Sequence, residues 1–238
     1  MSEILELVRS NALFKNCGED FYETLAQAGQ VRTYDKSKVL FITGDKAERF
    51  YLIKSGWVKL FRETLDGSQA IVDIMSMRNI FGETAIFEDD TYPCSAEVVE
   101  KSEIISFPLK VLKAEIESNN KLSFDMLTSM ARYRRQQDQE IEHRSLQNAP
   151  QRIGCFLLRM ADQNAEGSVR IQLPYDKMLV ASRLGMQPET FSRALNKLKD
   201  KTDMTIQGAT IEIEDIDQLV DFSCSACSSS FPCKDLNN

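Results

Sequence analysis

The stretch that most constrains the fold is residues 174–201, PYDKMLVASRLGMQPETFSRALNKLKDK. Two short helical patterns meet there at a tight turn. The first pattern runs from about Tyr175 to Leu184, and Gly185 ends it, as glycine commonly does directly after a helix. Pro188 opens the second pattern at the first helical position, where its missing N–H removes no hydrogen bond. This spacing predicts a helix-turn-helix unit.

Each predicted helix has an apolar face at the 3.6-residue spacing of buried helical positions. The predicted core residues are Met178, Leu179 and Leu184 in the first helix and Phe191, Leu195 and Leu198 in the second. The residues that we expect to bind DNA lie on the second helix: Glu189, Thr190, Ser192, Arg193, Asn196, Lys197 and Lys199. Arginine can bond guanine bidentately and glutamate can accept from the amino group of cytosine, so this face suits the major groove. The alternative is two amphipathic helices of another core with a solvated charged face.

The second helix also carries a family motif. Its residues P-E-T-F-S-R resemble the recognition helix of the CRP/FNR family of bacterial transcription regulators, in the branch that reads DNA with an E-x-x-S-R set. Glu189, Ser192 and Arg193 occupy those positions. The resemblance implies TTGAT half-sites arranged as TTGAT-N4-ATCAA and RNA polymerase as a partner. It also implies a homodimer whose two recognition helices lie roughly 34 Å apart.

The charge fits a specific reader of DNA better than a protein that coats it. The 238 residues carry a net charge of −7, whereas coating DNA requires clustered cations. The positive charge is local, because the predicted helix-turn-helix holds Arg183, Arg193, Lys197, Lys199 and Lys201.

The sequence also indicates where the protein acts and which functions it lacks. No apolar run could cross a bilayer, and the N-terminus lacks the basic region and cleavage site of a signal peptide. We therefore expect a cytoplasmic protein without a membrane partner. A Ser/His/Asp set could use only His143, and neither a G-x-x-x-x-G-K-[ST] loop nor an H-E-x-x-H motif occurs, so we do not expect an enzyme.

Between Val31 and Leu109 the pattern changes to short β-rich runs. The turn dipeptides that separate them are Gly44-Asp45, Ser55-Gly56 and Asp66-Gly67. Their spacing of roughly ten residues predicts an antiparallel barrel or jelly roll. The Y-L-I-K-S-G-W-V-K run and the F-G-E at 81–83 resemble the β-roll sensor of the same family.

One stretch departs from the cyclic-AMP-binding members of that family. In those members an arginine after the F-G-E pairs with the cyclic phosphate, but residues 92–96 here read Y-P-C-S-A. A buried phosphate without a guanidinium partner would be poorly compensated. We therefore expect no binding of cyclic AMP and a structural role for Glu83.

Residues 110–147 are predicted to form one long helix. A 3-4-3-4-3 spacing along it defines a heptad seam of Leu127, Met130, Arg134, Gln137, Ile141 and Arg144. In the family such a helix pairs two subunits, so the seam predicts a homodimer, of marginal stability because of its polar members. The alternative is an amphipathic helix packed on its own domain. His143, beside the seam, is expected to be a polar surface residue, with haem or metal ligation as the alternative.

The remaining elements complete the predicted architecture. Asn148 and Pro150 predict a capped helix after a hinge, and residues 205–213 predict the hairpin of a wing. The fold is expected to be α+β, with an N-terminal cyclic-nucleotide-binding-like β-roll, a long dimerisation helix and a C-terminal winged helix-turn-helix. The predicted domains are 1–115 for the β-roll sensor, 116–147 for the dimerisation helix, 148–222 for DNA binding and 223–238 for a cysteine-rich tail.

The tail contains three of the six cysteines, Cys224, Cys227 and Cys233. Two thiolates two residues apart can bind one metal or cluster, and a third follows after a short loop. The pattern predicts an iron–sulfur cluster, with zinc, haem or no cofactor as the alternatives. A fourth ligand could come from the long helix or from Cys17, Cys94, Cys155 or Asp235. The signal is then expected to be redox, oxygen or nitric oxide.

Overall fold

A computed structural model describes residues 2–161, 168–173 and 177–228 of the chain. The chain divides into two compact units, Met1–Met130 and Ala131–Asn238. Each unit has its own hydrophobic core. Both combine helices with antiparallel sheet, which confirms the predicted α+β class.

The first unit is a β-roll preceded and followed by helices. Its elements are α1 (Ser2–Arg9), a 3-10 helix (Ala12–Phe14), α2 (Glu19–Ala28), β1 (Gln30–Tyr34), β2 (Val39–Phe41), β3 (Arg49–Ser55), β4 (Val58–Glu63), β5 (Gln69–Met75), β6 (Ile80–Phe81), a 3-10 helix (Glu83–Phe87), β7 (Ser95–Val98), β8 (Ser102–Pro108) and α3 (Leu109–Ser118). Two four-stranded sheets have the orders β1-β8-β3-β6 and β2-β7-β4-β5. The predicted antiparallel roll is confirmed.

Strands β3 and β8 form the centre of this unit's core. Phe50 lies opposite Phe107 in the register of the two strands, with ring centroids 5.2 Å apart. Phe14, Leu25 and Leu112, from the helical segments, complete the same cluster and are fully buried. Since successive strand residues point to opposite faces, one face of β3 and β8 packs on helices and the other faces the interior of the roll.

The predicted single helix over 110–147 is interrupted, and this correction has a local cause. Asn119 has extended backbone angles (φ −112°, ψ 93°) between α3 and α4 (Asn120–Leu146). Its side-chain oxygen accepts from the backbone N–H of Lys121 at 3.1 Å and of Leu122 at 3.2 Å. Asparagine thus caps the new helix, a contact that competes with helix continuation.

The second unit contains the end of α4 and a small sheet surrounded by helices. Its further elements are α5 (Ala149–Met160), β9 (Val169–Gln172), α6 (Lys177–Arg183), α7 (Pro188–Lys199), β10 (Met204–Gln207), β11 (Thr210–Ile213) and α8 (Ile216–Cys224). The antiparallel sheet has the order β10-β11-β9. This is the predicted order of helix, strand, helix-turn-helix and wing.

The predicted cap at the start of α5 is confirmed. Asn148 accepts from the N–H of Gln151 at 3.1 Å, while the Gln151 side chain accepts from the N–H of Asn148 at 3.0 Å. Pro150 lies in the first turn, as predicted. Among the residues that the structure describes, none of the helices combines the length and apolarity needed to span a membrane.

Candidate DNA-binding site

The turn between α6 and α7 is closed by backbone hydrogen bonds. Gly185 has a left-handed φ of +63°, and the N–H of Met186 donates to the carbonyl of Ala181 at 2.9 Å. This is the glycine-dependent end predicted for the first helix. Pro188 then occupies the first turn of α7, as predicted, and Gln187 precedes it in extended conformation. The first two residues assigned to the first of the two helices, 175 and 176, lie outside the described part of the chain.

One face of α7 is part of the second unit's core. Phe191, Leu195 and Leu198 are buried, which confirms their predicted role. The prediction for α6 is wrong at Met178, which is 63% exposed. Since α6 presents Leu179, Val180 and Ala181 to the core, Met178 lies on the solvent side of the helix.

The opposite face of α7 is exposed to solvent. Its exposed residues are Glu189, Ser192, Arg193, Asn196, Lys197 and Lys199, and Thr190 is half-buried. Glu189 and Arg193 are four residues apart, so they lie on the same side of the helix near its N-terminal end. The arrangement leaves donors and acceptors where a recognition helix contacts bases. The individual base contacts of these residues stay predictions.

Arg183, one of the cations counted in the predicted helix-turn-helix, forms an ion pair within the second unit. Its guanidinium donates to both carboxylate oxygens of Glu140, at 2.5 and 2.9 Å, and Arg159 donates to the same carboxylate at 3.1 Å. Burial raises the pKa of Glu140, but the bonds from Arg183 and the two positive charges outweigh it, so the pKa is lowered. Arg183 therefore connects α6 to α4.

The predicted seam of α4 is exposed along its whole length. Its apolar members are unusually accessible: Leu127 is 61%, Met130 is 44% and Ile141 is 65% exposed. Arg134, Gln137 and Arg144 are exposed too. Phe124, at 69%, extends the same row by three residues and was missed, although the spacing alone points to it. A helix with such a row is expected to have a partner helix.

His143 is not the surface residue that the sequence predicts. It is 7% exposed, because α4 packs its Glu140, His143 and Gln147 side against the rest of the second unit. Its Nε2 lies 3.3 Å from the Cys227 sulfur and its Nδ1 lies 3.7 Å from the Cys155 sulfur. Glu140, His143 and Gln147 follow one another at spacings of three and four residues, which places them on one side of the helix and would have indicated that this side is buried.

The described cysteines do not assemble a metal site. Within residues 2–161, 168–173 and 177–228, no group of three or more His, Cys, Asp and Glu side chains could hold a metal ion. The thiols of Cys227 and Cys155 approach different nitrogens of one imidazole, and these nitrogens point in divergent directions. One ion therefore could not be shared by all three groups. Cys233 and Asp235 lie outside the described residues.

The β-roll has a half-buried acid at the F-G-E position. Glu83 begins the second 3-10 helix, and burial raises the pKa of its carboxyl to about 7. Arg62, on β4, donates its Nε–H to the carbonyl of Pro93 at 3.2 Å. The sequence reasoning missed this contact, since Arg62 lies 31 residues before the Y-P-C-S-A stretch that it touches.

Glu83→Gln is expected to stabilise the protein at alkaline pH. The carboxyl of Glu83 has a pKa of about 7 in the folded chain and of 4.5 in the unfolded chain. Its contribution to the free energy of unfolding is therefore fully present below pH 4.5 and is lost as the pH rises through about 7. The variant should unfold like the parent near pH 4. At pH 8 its free energy of unfolding should be greater by about 1–3 kcal/mol, allowing for partial exposure. Urea titrations across this range measure it, with the exposed Glu88→Gln as control; parallel curves for Glu83→Gln and the parent would contradict it.

Comparison with known proteins agrees with both units. The cyclic nucleotide-binding domain profile matches residues 31–119, and the Crp-like helix-turn-helix domain profile matches residues 151–222. A solved structure of a candidate cyclic nucleotide binding protein from Ruegeria pomeroyi is 32% identical. The aligned residues cover 93% of this chain and 97% of the Ruegeria pomeroyi chain, with a TM-score of 0.69.

Two further relatives are named as regulators. The solved structure of DNR from Pseudomonas aeruginosa is 32% identical, covers 90% of this chain and 95% of its own, and has a TM-score of 0.50. The anaerobic regulatory protein of Bacillus subtilis is 27% identical over 76% of this chain and 78% of its own. With its β-roll, long helix and winged helix-turn-helix, this chain belongs to the CRP/FNR family of DNA-binding transcription regulators.

Proposed function

We propose that this protein is a homodimeric regulator that reads a TTGAT-N4-ATCAA-like palindrome in response to a redox, oxygen or nitric-oxide signal. The observation that carries this proposal is the exposed set of Glu189, Ser192 and Arg193 on α7. These side chains lie on one face of a helix whose other face is anchored in the core. They offer two charged groups and a hydroxyl to base edges, as direct readout requires. Cytoplasmic action with RNA polymerase belongs to the same proposal.

The proposed dimer is supported by α4. Its row of exposed apolar side chains spans Phe124 to Ile141, and burial of such side chains is the usual driving force for helix pairing. The Nε of Arg134 lies 3.9 Å from the Oδ2 of Asp138 in the same helix. That pair offsets part of the repulsion that like charges would produce across a two-fold axis.

A signal other than cyclic AMP is supported by the β-roll and by one relative. The Y-P-C-S-A stretch holds no arginine, and Arg62 reaches it from β4 through an exposed side chain. The Bacillus subtilis relative is named an anaerobic regulatory protein. Both nitrogens of His143 contact thiols, so this residue is not favoured as a haem ligand. An iron–sulfur cluster or zinc on Cys224, Cys227 and Cys233 stays a prediction of the sequence.

A binding assay tests the proposed function. Fluorescence anisotropy with a labelled TTGAT-N4-ATCAA duplex should give a dissociation constant on the order of 10⁻⁸ M or tighter under reducing conditions. Scrambling one half-site should weaken binding by at least about 100-fold, since paired half-sites share one dimer. Added cyclic AMP should leave the affinity unchanged. Equal affinity for the palindrome and the scrambled duplex would contradict the proposal.

A further inference from the structure

The end of α8 and the residues after it form a thiol cluster with α4 and α5. Cys227 and Cys155 lie on either side of His143, and Cys224 is the last residue of α8. Cys155 and His143 are buried, whereas Cys224 and Cys227 are half-buried. A small oxidant can therefore reach the second pair more easily than the first.

Cys224 and Cys227 are placed at disulfide-forming separation by a turn. The N–H of Cys227 donates to the carbonyl of Cys224 at 3.2 Å. A turn closed by this type of bond brings its first and fourth Cα atoms within about 7 Å. Disulfides join residues whose Cα atoms are about 4.4–6.8 Å apart. The two thiols can thus be joined with a small adjustment of the turn.

The same segment holds α4 to the DNA-binding half of the unit. Besides the contact of Cys227 with His143, Ser228 donates its N–H and its hydroxyl to the two oxygens of Glu142, each at 2.9 Å. Gln147 donates to the carbonyl of Ser223 at 3.3 Å. One turn before, Glu140 binds Arg183 of α6. The last turns of α4 are thus attached to both the tail and the helix-turn-helix.

We propose that Cys227 and Cys224 form a peroxide-oxidised dithiol whose disulfide lowers DNA affinity, an inference that rests on the proposed function for its DNA readout. Turning the Cys227 sulfur toward Cys224 removes it from His143. Because Ser228 directly follows Cys227, the same movement also pulls Ser228 from Glu142. The end of α4 is then held less firmly. If the two recognition helices of the dimer alternate between an arrangement that binds DNA and one that does not, this loosening shifts the balance toward the second.

The chemistry balances with hydrogen peroxide as the oxidant. The Cys227 sulfur attacks one peroxide oxygen, the O–O bond breaks, and one water leaves as the thiol gives up its proton. The Cys224 sulfur then attacks the resulting sulfenic sulfur, which forms the S–S bond and releases a second water. Two thiols lose two electrons and two protons, and one peroxide becomes two waters. His143 is positioned to hold the Cys227 sulfur for the first step.

The first measurement maps the disulfide and does not depend on DNA. The full-length protein, reduced and treated with a chelator, receives equimolar hydrogen peroxide and is digested under alkylating conditions for mass spectrometry. We expect a Cys224–Cys227 disulfide that dithiothreitol reverses. A disulfide between Cys227 and Cys233, unmodified thiols, or one equivalent of iron or zinc retained by the protein would each overturn the proposal. Failure of the proposed function would leave this result intact.

The second measurement compares affinity for the palindrome before and after oxidation. The parent should lose about ten-fold in affinity, in the range typical of coupled sites, and regain it with dithiothreitol. For Cys224→Ser and for Cys227→Ser, the affinity for the palindrome should be the same before and after oxidation. Cys224→Ala, a second variant at the same half-buried position, should give the same result. Cys94→Ser, in the β-roll, should respond like the parent. A disulfide that forms without changing the affinity of the parent would overturn the regulatory role.

Discussion

Ile141→Asp is expected to give a monomer that no longer binds the palindrome at concentrations where the parent chain does. Ile141 is 65% exposed at the C-terminal end of the apolar row of α4, so aspartate should be tolerated in the isolated chain. In a helix pair, two carboxylates would meet in a desolvated seam and repel. Loss of the second half-site contact should weaken binding by about 100- to 10,000-fold, without any change in the base-reading side chains.

Ser129→Asp is the matched control for this variant. Ser129 is exposed on the same helix, outside the predicted seam, and receives the same added charge. Light scattering should report a dimer for the parent and Ser129→Asp and a monomer for Ile141→Asp. If Ile141→Asp remains dimeric, the subunits pair through another surface and the seam assignment is wrong.

Arg193→Ala is expected to have the next largest effect. If Arg193 bonds guanine bidentately, its removal should cost about 1–3 kcal/mol on the palindrome, or roughly 5- to 150-fold in affinity. Discrimination should relax at one base pair of each half-site and persist elsewhere. The side chain is exposed and outside the core, so the stability of the chain should be unchanged.

Lys199→Ala separates base reading from attraction to phosphate. Lys199 lies at the other end of α7 and is also exposed. A phosphate contact there should weaken all DNA sequences alike and reduce the dependence on salt by about one counterion. Titrating both variants against a set of single-base changes measures the difference. A uniform loss from Arg193→Ala would show that this residue contacts the backbone instead.

The features that sequence predicts well here depend on neighbours close along the chain. Gly185 and Pro188 end one helix and begin the next through their own backbone chemistry, and the apolar period of α7 is contained in twelve residues. The same holds for the capping pair Asn148 and Gln151. Such elements need little information from the rest of the fold.

The features that were missed depend on distant residues or on competing local contacts. His143 is buried by Cys227, which lies 84 residues away, and Arg183 is neutralised by Glu140, 43 residues away. Neither partner can be identified from a periodic pattern in the sequence, although the spacing of Glu140, His143 and Gln147 does place these three on one side of α4. At Asn119 the helical pattern does continue, but the side chain caps the following helix and interrupts it.

The most direct test of the central claim is selection of binding sites from random-sequence duplexes by the reduced, full-length protein. The account predicts an inverted repeat of TTGAT half-sites separated by four base pairs. The half-site centres should then lie about one helical turn apart. Repeating the selection with Arg193→Ala should return the same repeat with one position degenerate. Selection of unrelated single sites, or of no sequence at all, would contradict the claim that this chain is a dimeric reader of a palindrome.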